Sequence, residues 1–248
     1  MMLRSQDRER KLFDFLNKLS DYLSCGDLTK YFKEIDGRSN IILELEDSVK
    51  NEPFFETKRF ESIFEFRLFR IVNYVLVREF KPKVLIETGV MHGLTSQFLL
   101  HAIEKNKFGK LISIDYPSYF ETGPANKDGY TETLPPKREP GWAVSEKYKP
   151  YWELLIGKSV DVLPNVLKQN PMIDIFLHDS EHTYETMWFE LNEAWGKLKE
   201  NGILICDNID NNTAFFDFCQ SINHIPFICP HDINDKNSRI RFGIVKHK

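Results

Sequence analysis

Five short apolar runs between Val84 and Cys206, most of them running straight into a polar residue, constrain this chain more than any other feature. The first, Val84-Leu85-Ile86, passes through Glu87-Thr88-Gly89 into Leu94 to Glu104, and so spells strand, glycine turn, helix. Lys110 to Ile114 repeats the strand signal and stops at Asp115. Trp152 to Ile156, Ile173 to Leu177 and Ile203 to Cys206 follow, the last two flanking a helix expected over Tyr184 to Lys199. Strands that alternate with helices over this length require a parallel sheet covered on both faces. Phe227 to Cys229 and Arg239 to Val245, separated by the polar loop His231 to Ser238, are expected to close the sheet as an antiparallel pair. The fold class is α/β, doubly wound and mostly parallel.

Ahead of this region the pattern is helical. Leu12, Phe15, Leu16, Leu19 and Leu23 recur at three- and four-residue steps, predicting a helix from Ser5 to Leu23 that Gly26 ends. A second helix is expected from Thr57 to Phe80, limited by Pro82. Tyr31 to Phe55 receives no regular structure. Residues 1–80 read as a helical extension or cap, and 81–248 as the main domain. Tyr116 to Pro150 interrupts that domain with six prolines, three glycines and the aromatics Tyr116, Tyr119, Phe120, Tyr130, Trp142 and Tyr148. A loop of this length is usually functional or mobile. Its rings have either the scaffold or a ligand to cover.

A chain of 248 residues suits one large domain with an attachment. The net charge of -4 supplies no cationic field for a phosphate backbone, so no nucleic-acid partner is expected. Cys25, Cys206, Cys219 and Cys229 form no C-x-x-C pair, which fits reduced thiols and a cytoplasmic location. Met1 to Leu16 is too charged for a signal peptide, and no stretch nears the roughly 18 apolar residues that span a bilayer. Subunit number is not readable, which leaves a homo-oligomer open.

The densest signal is Glu87-Thr88-Gly89-Val90-Met91-His92-Gly93-Leu94-Thr95-Ser96. Gly89 and Gly93 let the chain leave a strand and approach a ligand, and the helix that follows offers free amides. Neither G-x-G-x-x-G nor a G-K-[ST] ending is present, which weakens nicotinamide-dinucleotide and triphosphate readings. Open parallel sheets bind ligands beyond the carboxyl ends of their strands. Here Glu87, Asp115, Gly157-Lys158-Ser159, Asp179 and Asp207-Asn208 follow successive strands. Asp115 is placed to accept hydrogen bonds from a ribose diol. Each acid taken alone is equally at home as a helix cap or a solvated loop residue.

Across Lys83 to Val245 the sequence resembles the class I S-adenosylmethionine-dependent methyltransferases, most closely the branch of macrocin and other sugar O-methyltransferases with cephalosporin-hydroxylase-like relatives. The acid-G-x-x-x-G-x-[ST] motif is matched by Glu87, Gly89, Gly93 and Thr95, with Ser96 adjacent, and the ribose-binding acid by Asp115. D-x-x-x-x-D-x-[DE]-H-x-Y-E is matched by Asp174, Asp179, Glu181, His182, Tyr184 and Glu185. G-G-x-x-x-x-D-[DN] is matched by Gly202, Asp207 and Asn208, with Asn201 in place of the first glycine. The resemblance implies a Rossmann-like seven-stranded sheet with an antiparallel C-terminal strand. It implies S-adenosylmethionine (SAM) held by Glu87, Thr88, Gly89, Gly93, Thr95, Ser96, Asp115, Ser159 and Asp179. It further implies a divalent cation, magnesium or manganese, on Asp179, Asp207 and Asn208, a donor set of hard oxygens that suits either ion.

The implied reaction is methyl transfer to a hydroxyl of a small molecule, with a sugar or glycosylated metabolite as one acceptor class. Asp179, Glu181 and His182 are the catalytic candidates. Glu181 leads as general base, with His182 as a base or a packed histidine, and a packed histidine is also the plainer reading of His178. Two alternatives stay open: a metal-independent transferase with another acceptor, and a SAM-binding protein of this fold without catalysis.

Overall fold

The computed structural model describes residues 2–35, 39–50, 66–119, 127, 133–234 and 240–248. Strands β1 (Val84–Thr88), β2 (Lys110–Asp115), β3 (Trp152–Ile156), β4 (Ile173–His178), β5 (Leu198–Cys206), β6 (Phe227–Pro230) and β7 (Arg241–Lys246) form one seven-stranded sheet in the order β3-β2-β1-β4-β5-β7-β6. β1 to β5 pair in parallel, whereas β7 runs antiparallel to both β5 and β6. The order reverses at β1, where β2 lies on one side and β4 on the other, so the crevice of a doubly wound sheet opens there.

Every residue of β1 and of β4 is buried, as expected of strands covered on both faces. Leu85, Leu111, Ile175, Leu177, Ile203 and Ile205 point to one side and pack with α4 (Leu68–Phe80), α5 (Leu94–Asn106) and the preceding α1 (Met2–Leu23), α2 (Thr29–Phe32) and α3 (Asn40–Val49). Ile86, Ile112, Ile114, Phe176 and Leu204 point to the other, against α6 (Ser159–Gln169), α7 (Tyr184–Trp195) and α8 (Ala214–Ser221). The first of these clusters runs unbroken from Leu12 to Ile244, so apolar packing does not stop at residue 80.

Several element boundaries differ from the expectation. The second N-terminal helix begins at Leu68, and residues 57–65 of the expected span lie outside the described residues. It closes on Lys81 in the left-handed conformation (φ 44°), immediately before Pro82. The stretch Tyr31 to Phe55, expected to be irregular, holds the end of α2 and all of α3, and its residues 36–38 and 51–55 lie outside the described residues. The apolar positions of α3, Ile41, Ile42, Leu45 and Val49, fall on one helical face and are all buried. α7 ends at Trp195 instead of Lys199, because Leu198 already pairs with Ile173 at the start of β5. The pairing then shifts before Ile175 meets Ile203, and Asn201, in the family's glycine position, has a φ of 62°.

Residues 120–126 and 128–132 of the long loop, including Phe120 and Tyr130, lie outside the described residues. Its C-terminal half packs on the scaffold. Leu134, Ala143 and Tyr148 are fully buried, and Glu146–Tyr151 forms a 3-10 turn.

Candidate active site

The site is assembled by backbone hydrogen bonds that extend the sheet ladder one step past the strands. Gly89 N–H donates to Ile114 C=O at 2.8 Å, Asp179 N–H to Thr88 C=O at 2.8 Å, Asp207 N–H to His178 C=O at 2.9 Å and Gly157 N–H to Asp115 C=O at 2.8 Å. The first residues beyond β1, β3, β4 and β5 are thereby pinned in a row with the end of β2, along one rim. Above that rim is a cavity of about 500 Å³, a normal size for a small-molecule site. Gly89, Thr95, Asp115, Ser159, Asp179, Glu181, His182, Asp207 and Asn208 all line it.

At one end of the cavity, Asp115 Oδ2 accepts hydrogen bonds from the amides of Val90 (2.9 Å) and Met91 (2.7 Å). The turn after β1 is thus bolted to the end of β2. Burial raises the Asp115 carboxyl, against the two amide bonds that lower it. With two of roughly four lone-pair sites used, it keeps acceptor capacity on the cavity side.

At the other end, the ligand atoms of Asp179, His182 and Asp207 lie within 4.8 Å of one another. His182 Nε2 is 3.9 Å from Asp179 Oδ1 and 3.4 Å from Asn208 Nδ2. Burial and the neighbouring Asp207 carboxylate push Asp179 well above the usual carboxylate range. Burial alone would raise Asp207 too, but the hydrogen bond from His231 Nε2 at 2.6 Å, together with the charge interactions of His231 and His182 and the contact with Asp179, holds Asp207 low. Glu181 sits beside the cluster, with Oε1 accepting from the Lys127 amide (2.6 Å) and Oε2 from Thr186 Oγ1 (3.1 Å).

A model of the methyltransferase domain family matches residues 86–209, half of the chain. The chain belongs to the class I S-adenosylmethionine-dependent methyltransferases. No curated protein matches it in sequence. Among solved structures it is similar to the S-adenosylhomocysteine-bound methyltransferase PaMTH1 of Podospora anserina, at 14% identity and a TM-score of 0.54 over 95% of this chain and 96% of that one. The O-methyltransferase TomG of Streptomyces achromogenes, involved in tomaymycin synthesis and solved with SAM, gives 11% identity and a TM-score of 0.55 over 95% and 99%. The calicheamicin methyltransferase CalS11 gives 16% and 0.51 over 83% and 91%. At these identities the likeness is one of fold.

Not every expected residue of this methyltransferase reaches the cavity. Glu87, Thr88, Gly93 and Ser96 lie outside its lining. Glu87 is fully buried below the turn, where Oε2 accepts from Ser96 Oγ and Ser113 Oγ, both at 2.7 Å, and Oε1 is buried without a hydrogen-bond partner among the described residues. Burial pushes its carboxyl up to about 7. Thr88 Oγ1 donates to Glu190 Oε2 at 2.5 Å. The two glycines make room for protein more than for ligand. A Cβ on Gly89 would lie 1.9 Å from the Asp179 carbonyl oxygen, and one on Gly93 would lie 2.6 Å from Val144 Cγ2. Both have a φ of 85°. Asp174, first in its motif, is at the opposite end of β4, accepting from the Val84 amide at 2.8 Å and pairing with Lys199.

Other site residues carry no motif signal. Arg67, Phe69 and Arg70, on and just ahead of the first turn of α4, line the cavity and bring the N-terminal segment to it. Glu190 on α7 is fully buried and accepts from His178 Nδ1 at 2.7 Å and Ser180 Oγ at 2.6 Å, as well as from Thr88. Burial would raise this carboxyl, but the paired His178 keeps it low. His178 is therefore a packed histidine behind the rim, with its ring edge-on to His182 at 5.4 Å. In the long loop, Trp142 Nε1 donates to His92 Nδ1 at 2.9 Å, seating the loop over the first turn. Helical periodicity shows that Glu190 belongs to α7, but nothing in the sequence shows that this face turns inward beneath β4.

Proposed function

We propose that this methyltransferase moves the methyl group of SAM to a hydroxyl of a small molecule, with a divalent cation held at the ends of β4 and β5. The observation that carries the reading is the meeting of Asp179, His182 and Asp207 within 4.8 Å, in the cavity that Asp115 closes at its other end. The donors fit the ion: two carboxylates and an imidazole, with Asn208 beside them, favour manganese over magnesium because an imidazole is the softer ligand. Asp115 fits the cofactor, as a buried acceptor for a diol whose own orientation is already fixed by two amides.

SAM supplies an activated methyl on a sulfonium when bound. The protein's work is to align and deprotonate. Asp115 and Ser159 orient the cofactor's polar groups from the ends of β2 and β3. Asp179 and Asp207 face the acceptor oxygen from β4 and β5. Glu181 Oε1 takes the hydroxyl proton once the Lys127 amide releases it, because an alcohol is a poor nucleophile until deprotonated. Phe69, Arg67 and Arg70 wall the acceptor side and exclude water. TomG, an O-methyltransferase by name, supports oxygen as the atom methylated.

One observation favours a second reading without metal. His182 lines the cavity with Nε2 3.9 Å from Asp179 Oδ1, close enough for the imidazole to serve as a base whose cationic form the carboxylate stabilises. The test is label transfer from SAM to sugars, glycosylated metabolites and catechols, before and after exhaustive chelation. The cation reading expects activity to vanish and to return with manganese or magnesium. Full activity in the chelated enzyme excludes it and leaves the deprotonation to Glu181 or His182.

A further inference from the structure

We propose that His231 is a positioning residue for Asp207, setting the orientation in which that carboxylate meets the cation; this rests on the reading of Asp207 as a ligand. His231 follows β6 at Pro230, far in sequence from every motif of the site. Its Nε2 is 2.6 Å from Asp207 Oδ1, and both side chains are buried. The ring itself is locked. It stacks on Phe69 of α4 (centroids 5.6 Å apart, 28° between planes) and stands edge-on to Phe242 of β7 (5.5 Å, 81°). The main chain is held as well, since the Leu68 amide donates to His231 C=O at 2.9 Å and the His231 amide to Ile240 C=O at 3.3 Å.

The second nitrogen of the ring makes the case. Nδ1 is buried with no hydrogen-bond partner among the described residues. An orphaned buried polar atom costs free energy, and an apolar side chain between Phe69 and Phe242 would avoid that cost. The Nε2 contact is what an apolar side chain could not supply. With Oδ1 committed to a rigid donor, the Asp207 carboxylate cannot rotate, and its remaining lone pairs are aimed as a unit. A donor behind a metal-binding carboxylate acts in this way, and its loss typically weakens metal binding by about 10- to 100-fold. The device also ties the N-terminal segment to the chemistry, because Phe69 lines the cavity with one part of its surface and seats His231 with another.

The test is manganese binding to the full chain loaded with S-adenosylhomocysteine, followed by the paramagnetic resonance of free manganese. The variants are His231→Gln, whose terminal amide nitrogen takes the place of Nε2, and His231→Asn, whose amide stops short of it. The expected result is near wild-type affinity for His231→Gln and about 10- to 100-fold loss for His231→Asn. S-adenosylhomocysteine affinity should be unchanged in both. Equal affinity in both variants, whether strong or weak, overturns the positioning role. If the wild-type chain binds no manganese, Asp207 is not a ligand and the proposal falls with that reading. Circular dichroism and thermal melts of the two polar variants separate a folding defect from a site defect.

Discussion

Glu87 shows what one buried carboxyl does to this molecule. Its folded pKa of about 7 lies above the ordinary 4.5, so the native state binds the proton more tightly than the unfolded chain does. Its stabilising contribution is complete below about pH 4.5 and fades as pH rises through about 7. His101 works oppositely over much of the same range. Burial lowers it to about 4, so the unfolded chain takes up its proton first and stability falls as pH drops below 6.5. The two slopes partly cancel in the wild type, which makes the variant informative. Glu87→Gln should remove one of them, so that its stability relative to wild type rises by about 2–3 kcal/mol between pH 4.5 and 8 in denaturant titrations. A constant difference across pH would show that folding does not raise the Glu87 carboxyl.

Residue roles were legible where position along a strand decides them. Asp115, Asp179 and Asp207 could be read as site residues because an acid where an apolar strand run stops lies at the carboxyl edge of a parallel sheet, where ligands bind. Glu87 and Thr88 could not be assigned in this way. They belong to the same motif, but the strand's alternation sends their side chains inward to Ser113 and Glu190.

Between elements, the tightest joints are where two turns touch. Gly89→Ala would drive a Cβ into the Asp179 carbonyl at a φ of 85°, a conformation that alanine also resists, and the neighbouring backbone cannot yield. We expect loss of soluble folded protein or a destabilisation of more than about 3 kcal/mol, read from the denaturation midpoint. A second joint fastens the N-terminal helices to the long loop. Tyr148 OH donates to Glu44 Oε2 on α3 at 2.8 Å and lies 2.6 Å from His101 Nδ1 on α5. Tyr148→Phe leaves His101 buried without that partner and should cost about 1–3 kcal/mol. A midpoint within error of wild type would remove this joint from the account.

Neither joint was readable beforehand. The helical spacing of Ile41, Ile42, Leu45 and Val49 was present, but charges interspersed among them masked it. The aromatic Tyr148 looked the same whether it covered protein or ligand. Five strands and their polar ends stood out because a parallel sheet leaves uninterrupted apolar runs, a signal that needs no partner to be recognised.

At the scale of the whole molecule, sheet order and rim are one fact. Reversal of strand order at β1 opens the crevice, and the ladder bonds beyond each strand bring Gly89, Asp115, Gly157, Asp179 and Asp207 level beneath it. Arg67, Phe69 and Arg70 of the N-terminal segment line that crevice, and no helix among the described residues is long and apolar enough to cross a membrane. The central claim is that these strand ends form a single SAM site in which Asp115 holds the cofactor. The direct test is calorimetric titration of S-adenosylhomocysteine into the wild-type chain and into Asp115→Ala. Saturable one-to-one binding by the wild type, weakened at least about tenfold in a variant that is less stable for loss of the Val90 and Met91 amide bonds but still melts cooperatively above the assay temperature, is the predicted result. Equal affinity in the two proteins, or no binding to the wild type at millimolar ligand, would contradict it.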